Sequence, residues 1–206
     1  MSFKPQEFRS ALQYDGARPN RFKVKMNFPA NLNLSSRAGG ADGLDVQRKF
    51  EFTCRAAQIP GSTINPVSTF YQGREIKLPG DRVFDVWTVT VVNDEDFKIR
   101  NAFEVWMNLL NSHEGNSRAG DMMNSADYSV DAHVIQLSKT AEVNALKSYK
   151  LVGMFPTDLE PISLDWGLQD VLEEFSITFA YQWWEVNVAD ADGTGESPPE
   201  RNVLIR

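Results

Sequence analysis

The chain has 206 residues, 42% of them hydrophobic and 24% charged, with 13 Phe and 5 Trp. That is an ordinary globular composition, long enough to bury a sizeable core in one large domain or two small ones. A formal net charge of −7 argues against a surface that grips nucleic acid, because such binding rests on basic patches that release counterions from phosphates.

Residues 5–13 have Phe8, Ala11 and Leu12 on one helical face, with Pro5 suited to the first turn and Gly16 to the stop. No apolar h-region of a secretory signal is expected at the N-terminus, and no stretch approaches the ~18 apolar residues of a membrane span. "RFKVKMNF" alternates cleanly. Phe22, Val24, Met26 and Phe28 oppose Arg21, Lys23, Lys25 and Asn27, which predicts a strand with one wet face. A Gly-rich loop is expected over 30–49. A second strand is expected over 50–57, where Phe50, Phe52, Cys54 and Ala56 alternate.

Pro and Gly punctuate residues 58–81, so no long regular element is expected there. "REIKL" is a short strand at most, and Pro79–Gly80 suits the centre of a type II turn. The strand "RVFDVWTVTVV" should leave that turn and run over 82–92. Asn93 or Asp94 is placed to cap a helix over 95–111, with Glu95 and Asp96 favourable at its positive end. Ile99, Phe103, Trp106 and Leu110 follow helical spacing and predict a buried stripe. After a polar stretch, strands are expected over 128–138, 145–153 and 174–186, with a connector at "FPTDLEPISLDWG". The sum is mainly β with one flanking α-helix, an antiparallel β-sandwich or barrel.

No constellation of residues suggests catalysis. Cys54 is the sole cysteine, which excludes an intrachain disulfide, and its apolar alternation makes it a core thiol. The two histidines, His113 and His133, have no local partner that would make a dyad. "ADADG" fails as a calcium loop, because Val188 and Pro199 fall where carboxylates are needed. "AGGADG" lacks the Lys and Ser/Thr of a phosphate loop, and Asn33-Leu34-Ser35 is a glycosylation sequon by letter only. No metal-ligand spacing or cofactor motif is present, so no cofactor is expected and an enzyme would be an odd reading. Strands with one neutral polar face and open margins can instead join those of sister chains. On pattern alone, a monomeric sandwich stands equally open.

Several blocks in order carry a resemblance. They are "GARPNRFKV", "FEFTCRAAQIPGSTINPV", "YQGREIKLPGDRVFDVWTVTVVNDEDFKIRNAFEVW", "LVGMFPTDLEPISLDW" and the aromatic strand ending "YQWWEV". Together they resemble the tail tube proteins of contractile-tailed, T-even-like bacteriophages. Segments near 31–49 and 113–129 depart from that pattern as insertions in a domain of residues 1–186, and 187–206 reads as a C-terminal extension. The resemblance implies subunits whose sheets join into a ring barrel, with hexameric rings stacked into a hollow tube inside a contractile sheath. Its partners would be copies of itself, the tail sheath protein, and the baseplate and tail terminator proteins. DNA would pass through the lumen without tight binding, and this chain would not insert into a membrane. The location would be the virion tail, assembled in the host cytoplasm. Arg74, Lys77, Asp81 and Arg82 are the expected inter-subunit contacts, and Ser176, Thr178 and Gln182 the expected lumen lining. A tube subunit of a secretion or contractile injection system, or a single-ring tube-capping or baseplate protein, are the alternatives.

Overall fold

The computed structural model describes residues 5–12, 16–34, 43–139 and 145–187. In chain order the elements are α1 (Pro5–Ala11), β1 (Phe22–Met26), α2 (Gly43–Thr53), β2 (Cys54–Ala57), β3 (Thr63–Tyr71), β4 (Arg74–Val83), β5 (Trp87–Val92), α3 (Lys98–Leu110), α4 (Ser125–Tyr128), β6 (Val130–Leu137), β7 (Ala145–Leu159), β8 (Glu174–Ala180) and β9 (Trp183–Asn187). The expected C-terminal extension lies outside the described residues, apart from Asn187.

Seven strands form one antiparallel sheet, ordered β1-β6-β7-β8-β5-β2, with β9 added on β7. β7 is the hinge of this sheet. Its first part pairs with β6 and β9, and residues 155–159 pair with β8. At the changeover Gly153 takes φ 65°, and Gln182 donates its backbone N–H to Val152 O at 3.0 Å. The expected single strand over 174–186 is therefore two strands, broken at Tyr181–Gln182 where β7 bends beside it.

One core serves both halves of the sheet. Trp87, Val89 and Val91 alternate inward on β5, as do Phe175, Ile177 and Phe179 on β8. Val24, Met26, Ala132, Val134 and Leu151 do so from the other half. The helix stripe is as expected at Ile99, Phe103 and Trp106, which are buried, whereas Leu110 is only partly so. Phe103 is the aromatic hub. Its ring lies 5.3 Å from Phe28, 6.0 Å from Phe50, 6.1 Å from Trp106 and 5.7 Å from Phe179.

Four further expectations need correction. The strand over 50–57 begins only at Cys54, and the presumed loop before it ends in α2. Val46 and Phe50, four apart, share a helical face and are buried, whereas Phe52 is 85% exposed. The Phe50/Phe52 alternation was coincidental, and α3 has a second long helix as companion. The start of α3 is not capped by Asn93 or Asp94. Lys98 follows Phe97 at φ 50°, and the Asp96 carboxylate accepts the Lys98 N–H at 3.2 Å. Asp94 and Asp96 also hold Lys49 of α2, at 2.6 and 2.5 Å, which ties the two helices together.

The third correction concerns residues 58–81. They contain a long hairpin, β3–β4, in register from Tyr71↔Arg74 back to Thr63↔Val83. The turn is Gln72–Gly73, both at positive φ (48° and 81°), as the right-handed twist of a two-residue hairpin demands. Pro79–Gly80 is no turn: Pro79 faces Pro66 across the ladder, and both are tolerated because each strand of a two-stranded ribbon is an edge. The fourth correction follows from it. Arg82 and Val83 end β4, so the inward strand starts only at Trp87.

Phe103→Ala should cost about 3–5 kcal/mol, read as a lower urea midpoint at unchanged m-value, because the surrounding aromatic rings cannot collapse into the space.

Candidate assembly surfaces

Three surfaces of the described chain can meet another molecule. The first is the hairpin, whose residues are exposed along its length, save Gly80. Cross-strand pairing and alternation put Val67/Leu78, Thr69/Ile76 and Tyr71/Arg74 on one face, with Ser68/Lys77 and Phe70/Glu75 on the other. The first face is an apolar stripe open to water: Val67, Tyr71, Ile76, Leu78 and Val83 are all exposed.

The base of the hairpin is anchored while the rest projects. Trp184 Nε1–H donates to Gly61 O at 3.0 Å, Trp87 Nε1–H donates to Gln58 O at 2.7 Å, and Phe84 packs on Tyr181. A ladder irregularity falls between the Pro66/Pro79 and Ile64/Arg82 pairs, at Gly80. A Cβ on Gly80 would sit 2.5 Å from the backbone oxygen of Asn65.

The sequence-predicted contact residues all lie on this hairpin but do not converge. Arg74 is at the tip, Lys77 is mid-ladder opposite Ser68, and Asp81 is at the irregularity. Arg82 is near the base, donating to Ser62 Oγ at 3.4 Å.

The second surface is the outward face of β5 and β8. Thr88 Oγ1 and Thr178 Oγ1 are 3.1 Å apart, and Thr90 Oγ1 and Ser176 Oγ are 3.4 Å apart. These hydroxyls make a neutral, wettable wall with an ion pair, Arg55–Glu174, at its margin. Ser176 and Thr178 therefore stand together as expected. Gln182 does not join them, because it sits in the break between β8 and β9, where its side chain lies against Gly153.

The third surface is the loop between β7 and β8. Leu164, Trp166, Leu168, Val171 and Leu172 are all exposed, Trp166 completely. Sequence reasoning missed it by treating "FPTDLEPISLDWG" as a connector: its first five residues belong to β7, and five large apolar residues in the nine positions 164–172 are the signal of an unsatisfied surface.

The basic side chains of the β1 face and of nearby β7 are partly engaged. Lys23 pairs with Glu51, the Arg21 guanidinium donates to Ser138 O and Lys139 O, and Lys150 pairs with Asp131 at 2.9 Å. His133 lies between Lys25 and Lys150 in the ladder, and burial, then Lys150, lowers its pKa against the pull of Asp131. Burial pushes the Cys54 thiol up to about 12, the opposite of an activated nucleophile. Among the described residues no group of three or more His, Cys, Asp and Glu could hold a metal ion.

The geometry is that of a surface-bearing building block, and comparison with known proteins gives its class. Residues 17–187 match the family model described as phage tail tube protein, and the chain belongs to that family. It is 30% identical over 171 residues to tail tube protein gp19 of Enterobacteria phage T4, covering 83% of this chain and 92% of that protein. Its fold resembles a chain of the sheath–tube complex of the extracellular contractile injection system PVC in its extended state, with TM-score 0.54 at 15% identity over 90% of this chain and 99% of that one. It also resembles a chain of the anti-feeding prophage cap, a tube-terminating cap, with TM-score 0.58 at 17% identity over 86% and 94%. The chain is thus a tail tube protein of a contractile phage tail, a structural component of the virion tail.

Two outcomes follow from this geometry. Gly80→Ala should distort the hairpin while leaving the core intact. Limited proteolysis should then cut within 63–83 faster, with the melting midpoint nearly unchanged. Cys54 should react with a thiol reagent at pH 8 at least ten-fold more slowly in the folded chain than in urea. Its folded pKa lies above the unfolded value of ~8.5, so its contribution to stability is intact below that pH and declines as pH rises towards 12.

Proposed function

We propose that six copies of this chain close into a ring by joining sheet margins, and that the rings stack into the hollow tube through which the genome leaves. The observation that carries this reading is the hairpin. Two isolated strands with water on both faces are marginal by themselves, yet this one holds eight cross-strand pairs and an apolar stripe. Its natural complement is the surface of a sister chain. The margins of the main sheet support the same reading. Among the described residues β1 pairs only with β6, β2 only with β5, and β9 only with β7, so edge groups remain for a neighbour. A ring removes such edges by closure. The resemblance to the family supplies the number six.

Residues 1–186 act as the tube domain, and 187–206 as an extension. Arg74, Lys77, Asp81 and Arg82 contact neighbouring copies along the hairpin. Thr88, Thr90, Ser176 and Thr178 face the lumen: DNA slides along a wall of hydroxyls whose marginal cation, Arg55, is paired with Glu174. The tube is held by a sheath and meets a baseplate and a terminator at its ends. It assembles in the host cytoplasm and turns over no substrate.

Electron microscopy of the purified chain tests this. Long tubes of uniform bore support it, monomers at high concentration refute it, and rings that never stack would favour the single-ring cap instead. Thr178→Lys should leave tubes intact and raise their affinity for double-stranded DNA at least ten-fold at low salt. An unchanged salt-dependent binding curve would remove β8 from the lumen wall.

A further inference from the structure

Between the inward residues Val24, Met26, Ala132, Val134 and Leu151, the opposite face of the sheet carries a basic row. Lys25 of β1 pairs with His133 of β6, His133 with Lys150 of β7, and Lys150 with Glu185 of β9. Residues directly opposite in a ladder share a face, and basic neighbours there repel one another. The row opens into a cleft of about 830 Å³ whose walls include Lys25, Arg48, Glu51, Asp131, His133 and Lys150.

The three cations of this cleft outnumber its two acids, and both acids are engaged. Glu51 is bound by Lys23, and Asp131 by Lys150 at 2.9 Å. Arg48 stands exposed on α2 with no ion pair among the described residues. His133 Nδ1 is buried with no hydrogen-bond partner among them. On a chain of net charge −7, a cleft of this sign calls for an anionic occupant.

The chain carries such an occupant beside it. β9 ends at Asn187, opposite Ser148. The sequence that follows, "VADADGTGESPPE", holds Asp190, Asp192, Glu196 and Glu200 and no Lys, Arg or His before Arg201. Lys150 lies one strand over and two residues back from Asn187, ~8 Å away, and Lys25 lies two strands further, ~16 Å away. Residues 188–192, fully extended, span up to ~17 Å, so the first two of these acids reach the row from their own chain.

We propose that the acidic stretch 190–200 occupies the Lys25–Arg48–Lys150 cleft of its own chain, as a strap that meets cations otherwise open to the phosphates of DNA. The tether favours the chain's own segment over a free one, because it supplies a high effective concentration. This inference stands apart from ring formation and does not depend on it.

The test uses the dilute full-length chain, as a mixture of ¹⁴N- and ¹⁵N-labelled copies, treated with a carbodiimide that joins touching carboxylates and amines. Mass spectrometry should find Lys25 or Lys150 joined to an acid within 190–200, both ends carrying the same label. The yield should fall at least ten-fold in Arg48→Glu, and likewise in 0.5 M NaCl, where the screening length is only ~4 Å. A second full-length variant combines Asp190→Asn, Asp192→Asn, Glu196→Gln and Glu200→Gln. It alters nothing before the end of β9, so it carries the test should Arg48→Glu disturb α2. In it Lys25 should be acetylated at least five-fold faster than in the wild type, with Lys77 on the hairpin unchanged. Absence of these cross-links, a yield unchanged in a folded Arg48→Glu chain, or Lys25 acetylated no faster in the four-acid variant overturns the proposal. Cross-links found only between differently labelled copies overturn it too, since the cleft would then hold the segment of a second copy.

Discussion

The feature on which the rest depends is a two-stranded ribbon without a core. A hairpin gains little from its own backbone bonds, because water would satisfy the same groups, and it needs a face to bury. The β3–β4 ribbon buries neither face in a single chain. It is held at its root by Trp87, Trp184 and the Phe84–Tyr181 contact, and is otherwise free to meet another molecule. One face is an apolar stripe, and Phe70 and Ile64 add exposed apolar surface on the other, which favours burial against a second surface.

The body of the subunit anchors the root of that ribbon. Phe103 gathers Phe28, Phe50, Trp106 and Phe179, so α2, α3 and the sheet share one rigid centre. The bend of β7 at Gly153 gives the sheet two directions. One carries the neutral hydroxyl face of β5 and β8, and the other carries the charged face of β1 and β6, where Lys23 is paired with Glu51. In the proposed tube the first kind of surface would suit a wall along which DNA passes, and the second would suit contacts among proteins.

Where one periodicity ruled, the fold was legible in the sequence. β1, β6, β8 and the stripe of α3 lie where alternation or helical spacing put them. Where two signals competed, the reading failed. Phe50–Phe52–Cys54 reads as a strand, but Val46 and Phe50 share a helix face that the core accepts, and tertiary packing decides. Pro66, Pro79 and Gly80 read as breakers. In a ribbon with two outer edges the prolines cost no ladder bond, and Gly80 is needed where the ladder slips beside Asn65. The hydroxyl pairing of Ser176 and Thr178 could be guessed from alternation. The displacement of Gln182 could not, since it depends on β7 bending opposite it. The exposed loop around Trp166 escaped because a sequence shows apolar residues without showing that they are left uncovered.

The most direct measurement of the central claim is amide hydrogen exchange over residues 63–83, in dilute single chains and in assembled material. If sister copies complete the ribbon, its amides should exchange within seconds in dilute chains and slow by at least a hundred-fold on assembly, while those of β5 and β8 stay protected in both. Hairpin amides equally protected in dilute, demonstrably monomeric chains would contradict the account.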